Sequence, residues 1–287
     1  MPQDRDYTEE LVRVETEDGL GQDGVVIRPA SGEANPIPVV WTHGLTGKFY
    51  ERHCLAIGRA LASKGFVFVA GNNRGHDFGT VYTLADGTRL IAGGGWEKLD
   101  ECPRDISAWV RFTVGLGFRG VALLGHSLGA MKVAYYQGTR QDPAVLGLIA
   151  ASPPVRGVGR ADPQLLALAD RMIAEGRGRD LLPWGSSRAG GTTWSAEAYA
   201  HRVRLPGDVY GVELEDPVVA RIECPILAFY GTDEEWVGGA ADLELIRRNA
   251  RNAPRVDTLM IEGGDHSYVG HWPEVADAIA AWIVTLT

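Results

Sequence analysis

Short apolar runs recur along the chain at residues 37–42, 66–70, 121–124, 146–150, 225–230 and 258–261. They are rich in Val, Ile, Leu and Phe, the pattern of strands buried on both faces. Between them the apolar positions switch to helical spacing. This predicts helices over residues 49–64, 100–114, 128–138, 164–175, 240–249 and 273–284. Gly65 supplies a helix stop. Alternation at residues 11–15 and 24–28, joined through Glu17-Asp18-Gly19, predicts an antiparallel hairpin before the first buried strand. Strands alternating with helices define an α/β chain with a mostly parallel central sheet covered on both faces.

Two stretches break this rhythm. Residues 75–99 are glycine-rich and contain Gly93-Gly94-Gly95-Trp96. Residues 153–222 hold one helical pattern, a Gly/Arg tract and several aromatics. Insertions of this size carry function or structure of their own. Both follow the carboxyl ends of strands, where open α/β sheets bind ligands. The expected organisation is therefore a core over 1–152 and 223–287 with a cap inserted at 153–222.

Composition narrows the functional class. Hydrophobic residues make up 45% and charged residues 23%, as in ordinary globular chains. A net charge of -9 argues against nucleic-acid partners and anionic membrane surfaces. No apolar run is long enough to predict a spanning helix. The first residues, MPQDRDYTEELVRVE, contain no apolar leader segment. Cys54, Cys102 and Cys224 are widely spaced with no CxxC, so free thiols in a cytoplasmic setting are expected and no metal site is.

The chemistry concentrates at Gly125-His126-Ser127-Leu128-Gly129, where a buried strand meets a helix. G-x-S-x-G in that context is the nucleophile elbow, a turn so sharp that both flanking positions must be tiny. Ser127 is then lifted above the sheet at a helix N-terminus, which favours developing negative charge. A serine needs a base and a group to orient it. The partners follow such an elbow in the order acid, then histidine. Asp233, after the strand at 225–230, and His266, after the strand at 258–261, fill those places. Glu234 and Asp265 are competing acids, and His271 is a competing base. Asp265 adjoins the histidine, where an acid more often serves the turn. The oxyanion requires backbone donors: Leu128 N–H, and Leu45 N–H in the loop His43-Gly44-Leu45-Thr46-Gly47. His43 is either a substrate contact or a cap on that loop.

HGLTG, GHSLG, GTDEEW and GGDH, in this order, resemble the α/β-hydrolase superfamily over nearly the whole chain. Asn72-Asn73-Arg74-Gly75-His76-Asp77 is similar to a structural loop of many members. With the two insertions, it resembles an esterase-like subgroup that includes serine esterases opening macrolide lactones. The resemblance implies a triad of Ser127, Asp233 and His266, no cofactor, and a small-molecule ester or lactone substrate. Hydrolysis of a C–C bond or thioester by the same triad, or a non-catalytic receptor, are the alternatives. Aromatics over Ser127, namely Trp96, Trp184, Trp194 and Tyr199, are expected to line a substrate pocket or to form the core of the cap. The arginines of the insertion, among them Arg156, Arg160, Arg177, Arg179, Arg188, Arg202 and Arg204, read as a solvated face.

Overall fold

The computed structural model describes residues 6–84, 86–156, 162–185, 193–205 and 208–286. The chain opens with the antiparallel hairpin β1 (Tyr7–Glu15) and β2 (Gly21–Pro29), closed where Gly19 N–H donates to Thr16 O. Then follow β3 (Val39–Thr42), α1 (Arg52–Ser63) and β4 (Phe68–Gly71). A small hairpin, β5 (Thr80–Thr83) and β6 (Arg89–Ala92), precedes α2 (Cys102–Gly115). β7 (Val121–His126), α3 (Leu128–Arg140) and β8 (Val145–Ala151) come next. The long insertion carries α4 (Pro163–Ala174) and α5 (Ala196–Arg204). The chain closes with β9 (Ile226–Gly231), α6 (Ala240–Asn249), β10 (Val256–Ile261) and α7 (Trp272–Val284).

Among the described residues the main sheet runs β1-β2-β4-β3-β7-β8-β9-β10. β2 pairs antiparallel with both β1 and β4, and all later pairings are parallel. Alternate residues feed two cores. Val39 and Trp41 pack with α1 and α7 on one face. Val40, Leu123 and Ile226 pack with α2, α3 and α6 on the other. All six residues of β7 are buried, so its carboxyl end is held from both faces.

Helix α1 starts at Arg52, later than its periodicity predicts, and ahead of it Phe49 N–H donates to the Asn72 side chain at 3.1 Å. It buries Cys54, Ile57, Gly58, Leu61 and Ala62, one apolar stripe. It stops where Gly65, at φ +91°, lets Phe66 N–H reach back to Leu61 O. A hairpin of two strands and one helix lie outside the sequence prediction. The β5–β6 hairpin is mostly exposed and is anchored by Tyr82 and Ala92 packing on Leu20. Helix α5 is polar in composition and starts at Ser195, whose hydroxyl accepts from Ala198 N–H. α4 and α5 enclose a hydrophobic cluster separate from both main cores, with Leu165, Ala169, Met172, Leu182, Trp194 and Tyr199 at its centre.

Candidate active site

Ser127 sits between β7 and α3 with φ +56° and ψ -126°, a conformation that costs a non-glycine residue strain. The surroundings enforce it. A Cβ at Gly125 would lie 2.1 Å from Gly129 O, and one at Gly129 would lie 2.1 Å from Thr42 O. Neither position admits a side chain, so the strand, the serine and the helix can meet only in this turn. Gly44 also approaches the serine, less tightly. A methyl group there would lie 3.0 Å from Ser127 Cβ and 3.4 Å from its Oγ, so the 43–47 loop abuts the serine.

His43 is fully buried under that loop, and both ring nitrogens are used. Nδ1–H donates to Gly44 O at 2.9 Å, and Nε2 accepts from Asn73 N–H at 3.0 Å. Burial, reinforced by nearby Lys132, holds its pKa well below the ordinary imidazole value. The substrate-contact expectation for His43 is therefore corrected: its ring has no free edge, and it fixes the loop from beneath. Leu45 N–H has no partner among the described residues. Leu128 N–H opens α3, where no intrahelical acceptor exists.

The acid and histidine turns interlock. A Cβ on Gly231 would lie 1.8 Å from Gly264 O. Asp233 N–H donates to Gly264 O at 2.9 Å, and Gly263 N–H donates to the Thr232 hydroxyl at 2.8 Å. These bonds bring Glu234, not Asp233, to the histidine: His266 Nδ1 is 2.7 Å from Glu234 Oε2. The Glu234 side chain is 1% exposed, whereas Asp233 faces solvent. The expectation of Asp233 as partner is thus corrected. Its backbone anchors the turn, and the next residue, with one more methylene, turns inward. Burial alone would raise the Glu234 carboxyl. Donors from His266, Trp236 N–H and the Ser152 hydroxyl outweigh it and hold the group below the ordinary glutamate value. An ionised Glu234 assigns the proton of His266 to Nδ1 and leaves Nε2 as the basic nitrogen. Asp265 accepts from Ser267 and Val269 N–H and serves its own turn. His271 pairs with Glu274 on the surface.

His126, the second residue of the elbow, ties the Ser127 and His266 turns together. Its Nε2–H donates to His266 O at 2.7 Å, and the two rings lie 5.0 Å apart. Burial, together with His53 and His266, holds it far below the ordinary value, so it is a neutral donor. Its motif position gave the signal, because a residue between Gly125 and Ser127 must lie beside whatever packs on the elbow.

The aromatics divide. Trp194 and Tyr199, 4% and 6% exposed, belong to the α4–α5 cluster with ring centroids 6.1 Å apart. They form a core and are corrected as substrate contacts. Trp96 and Trp184 instead flank Phe78, at 5.7 Å and 5.3 Å between centroids. Trp184 is 69% exposed. This trio connects to the 43–47 loop, since Gly94 N–H bonds Asp77 O and a Cβ on Gly94 would strike the Thr46 side chain. Ser195 N–H donates to Gly95 O and joins α5 to the same segment. Arg156, Arg177, Arg179 and Arg204 make ion pairs, and Arg202 lies over the Trp194 ring. Arg160 and Arg188 lie outside the described residues.

A mostly parallel sheet that delivers a strained serine and a histidine–carboxylate pair at its strand ends defines the α/β-hydrolase class of fold. Residues 39–278 match the Alpha/beta hydrolase family, and the chain belongs to it. Among solved structures, Est1E from Butyrivibrio proteoclasticus, with ferulic acid bound, is similar at a TM-score of 0.68 and 19% identity, covering 96% of this chain and 98% of that one. The Pyrococcus furiosus esterase Pf2001 aligns at 0.62 and 17% identity, over 99% and 95%. A Paleococcus ferrophilus monoacylglycerol lipase aligns at 0.62 and 20%, over 97% and 100%. No curated protein matches the sequence.

Proposed function

We propose that the chain is a serine hydrolase that cleaves carboxylic esters through an acyl-enzyme. The observation that carries this reading is the 2.7 Å bond between Glu234 and His266, on a turn that His126 Nε2–H ties to the elbow of a serine held at φ +56°. His266 Nε2 takes the Ser127 proton as Oγ attacks the ester carbonyl. Glu234 stabilises the imidazolium that forms. The Leu45 and Leu128 amides receive the oxyanion. His266 then protonates the leaving alcohol, and water, activated by the same histidine, releases the acid. The groups named supply nucleophile, base and electrophilic stabilisation with no cofactor.

The substrate proposed is bulky and partly apolar, with a macrolide lactone as the specific case. Phe78, Trp96 and Trp184 support this, because rigid aromatics bury large area at small entropic cost. Residues 153–222 act as the cap over it. The solved structures named above are esterases and a lipase, which favours ester chemistry. The three cysteines are buried free thiols, which supports a cytoplasmic setting. Among the described residues no helix is long and apolar enough to cross a membrane.

One experiment tests both levels. Wild type and Ser127→Ala are incubated with p-nitrophenyl acetate and with a macrolide panel read by mass spectrometry. Hydrolysis of the short ester, lost by roughly three orders of magnitude or more in the variant, is expected. Each opened lactone should gain one water. Good turnover of the short ester with no mass gain on any macrolide leaves a small-ester carboxylesterase. No turnover of either removes the hydrolase reading in favour of a receptor.

A further inference from the structure

The outer strand of the main sheet is open. β1 lies at one edge, and β2 is its only strand neighbour among the described residues. Among those residues no backbone group outside that pairing bonds to the backbone of Tyr7–Glu15. Open edges are usually blunted by short length, proline, a bulge or a covering element. β1 has nine residues, no proline and an unbroken register with β2. At its centre Leu11 is 79% exposed, more than any other large apolar side chain among the described residues. Leu11 borders a groove of about 330 Å³ whose wall is mainly apolar, from Val25, Phe49, Tyr50 and Leu55.

The charges along β1 are arranged about Leu11. Glu9 lies two residues before it and Arg13 two residues after. Glu9 is held by Arg59 at 2.7 Å, and Arg13 by Asp23, its cross-strand neighbour on β2, at 3.1 Å. Both pairs reach solvent and can share a further partner.

A second copy of the strand fits this edge in one register. A two-fold axis normal to the sheet makes the two strands antiparallel and keeps corresponding faces on the same side, so odd-numbered residues meet odd-numbered ones. With the axis at Leu11, Leu11 meets the partner's Leu11, and Glu9 meets the partner's Arg13 on both sides of the axis. Tyr7 then meets the partner's Glu15, Thr8 the partner's Val14, and Glu10 the partner's Val12. Moving the axis one residue back sets Glu10 on the partner's Glu10. Moving it one residue forward sets Glu9 on the partner's Glu15. A shift of two sets Glu9 on the partner's Glu9, or Arg13 on the partner's Arg13. Like charges directly opposite are destabilising, and the Leu11 register has none.

We propose that β1 is a self-association surface, on which a second copy of this chain pairs antiparallel about a two-fold axis at Leu11 and continues the sheet across both molecules. On each side of the axis the charges then alternate: Arg59, Glu9, the partner's Arg13, the partner's Asp23. The apolar groove beside each Leu11 lies on the same side of the joined sheet and widens the contact beyond the strand pair.

The test uses the intact chain. Size-exclusion chromatography with light scattering should read twice the chain mass at high micromolar concentration. Leu11→Arg puts like charges on the axis and should read one chain mass, with circular dichroism and Tm unchanged. Glu9→Lys and Arg13→Glu should each weaken self-association at least about tenfold, since each sets like charges opposite one another twice. Mixed together, the two should pair with each other, because every charge again faces its opposite. Leu11→Cys should cross-link on oxidation, as Cα atoms facing across an antiparallel pair lie about 5 Å apart, within disulfide reach. Glu9→Cys should not, being more than about 12 Å from its own copy. The native thiols Cys54, Cys102 and Cys224 are buried and do not compete. A wild type that stays at one chain mass overturns the proposal, and so does a dimer that survives Leu11→Arg. Charge variants that associate with themselves as tightly as with each other, or Glu9→Cys cross-linking as readily as Leu11→Cys, overturn it as well.

Discussion

At the scale of single residues, the choice between two adjacent acids decides the composition of the proposed triad. Asp233 and Glu234 both follow β9, and sequence order alone places either one opposite the histidine. The choice is made by backbone bonds. Asp233 N–H and the Thr232 hydroxyl dock on the 263–264 turn, which leaves the Asp233 side chain in solvent and swings Glu234 onto His266. No periodicity extends past the end of a strand into such a turn, so this was not legible. The GxSxG serine and the GGDH histidine were legible as candidates, because each follows a predicted strand end within a few residues. The expected outcome is asymmetric. Glu234→Gln should lower kcat about 10³- to 10⁴-fold, since an amide cannot stabilise the imidazolium or fix the same tautomer. Asp233→Asn should stay within about threefold, as a solvent-facing carboxylate whose anchoring role lies in its backbone. Steady-state kinetics on the two variants checks this, and the reverse ranking would return the acid role to Asp233.

At the scale of elements, the buried strands and amphipathic helices were legible to within a few residues, because period and burial agree there. β5, β6 and α5 were not. Each is short, and β5 and β6 show more solvent-facing than core positions, so no apolar pattern marks them. The same ambiguity hid the division of the aromatics. A tryptophan in an insertion reads alike whether it closes a small core or faces a ligand; only packing separates Trp194 from Trp184. This gives a paired prediction. Trp194→Ala should destabilise the protein by about 3–5 kcal/mol, because it removes the largest side chain of the α4–α5 cluster and the surface under Arg202. Trp184→Ala should change stability by less than about 0.5 kcal/mol, as an exposed side chain. It should instead raise KM for bulky esters and leave p-nitrophenyl acetate unaffected. Denaturant midpoints and KM values for a short and a bulky ester read both halves. A large loss of stability in Trp184→Ala would assign that side chain to structure.

At the scale of the whole molecule, the site is assembled over a set of histidines that the fold keeps uncharged. His43 lies under the 43–47 loop, His126 under the histidine turn, and His53 on α1 packs 4.7 Å from His126. Burial lowers all three, His53 to about 4. In the unfolded chain each titrates near the ordinary value of about 6.5. Because the folded pKa is depressed, the stability linked to each histidine is fully present above that ordinary value and is lost as pH falls. For His53 the loss is complete near pH 4. Over that window unfolding takes up protons, and each histidine contributes a slope of about 1.4 kcal/mol per pH unit. Glu51 and Asp105 act in the opposite sense, since burial raises both carboxyls and the native state binds their protons first. They offset part of the loss at the low end. Glu234, held below the ordinary glutamate value, adds to the loss only at still lower pH. The unfolding free energy from urea titrations should therefore be level above pH 7 and fall from about pH 6.5 toward 5 with more than one proton taken up. His53→Leu, apolar and compact enough for the space beside Trp41 and His126, should reduce that slope by about one proton. A level profile between pH 6.5 and 5 would mean that these imidazoles gain protons without unfolding, and that the neutral scaffold under Ser127 and His266 is not what holds the site together.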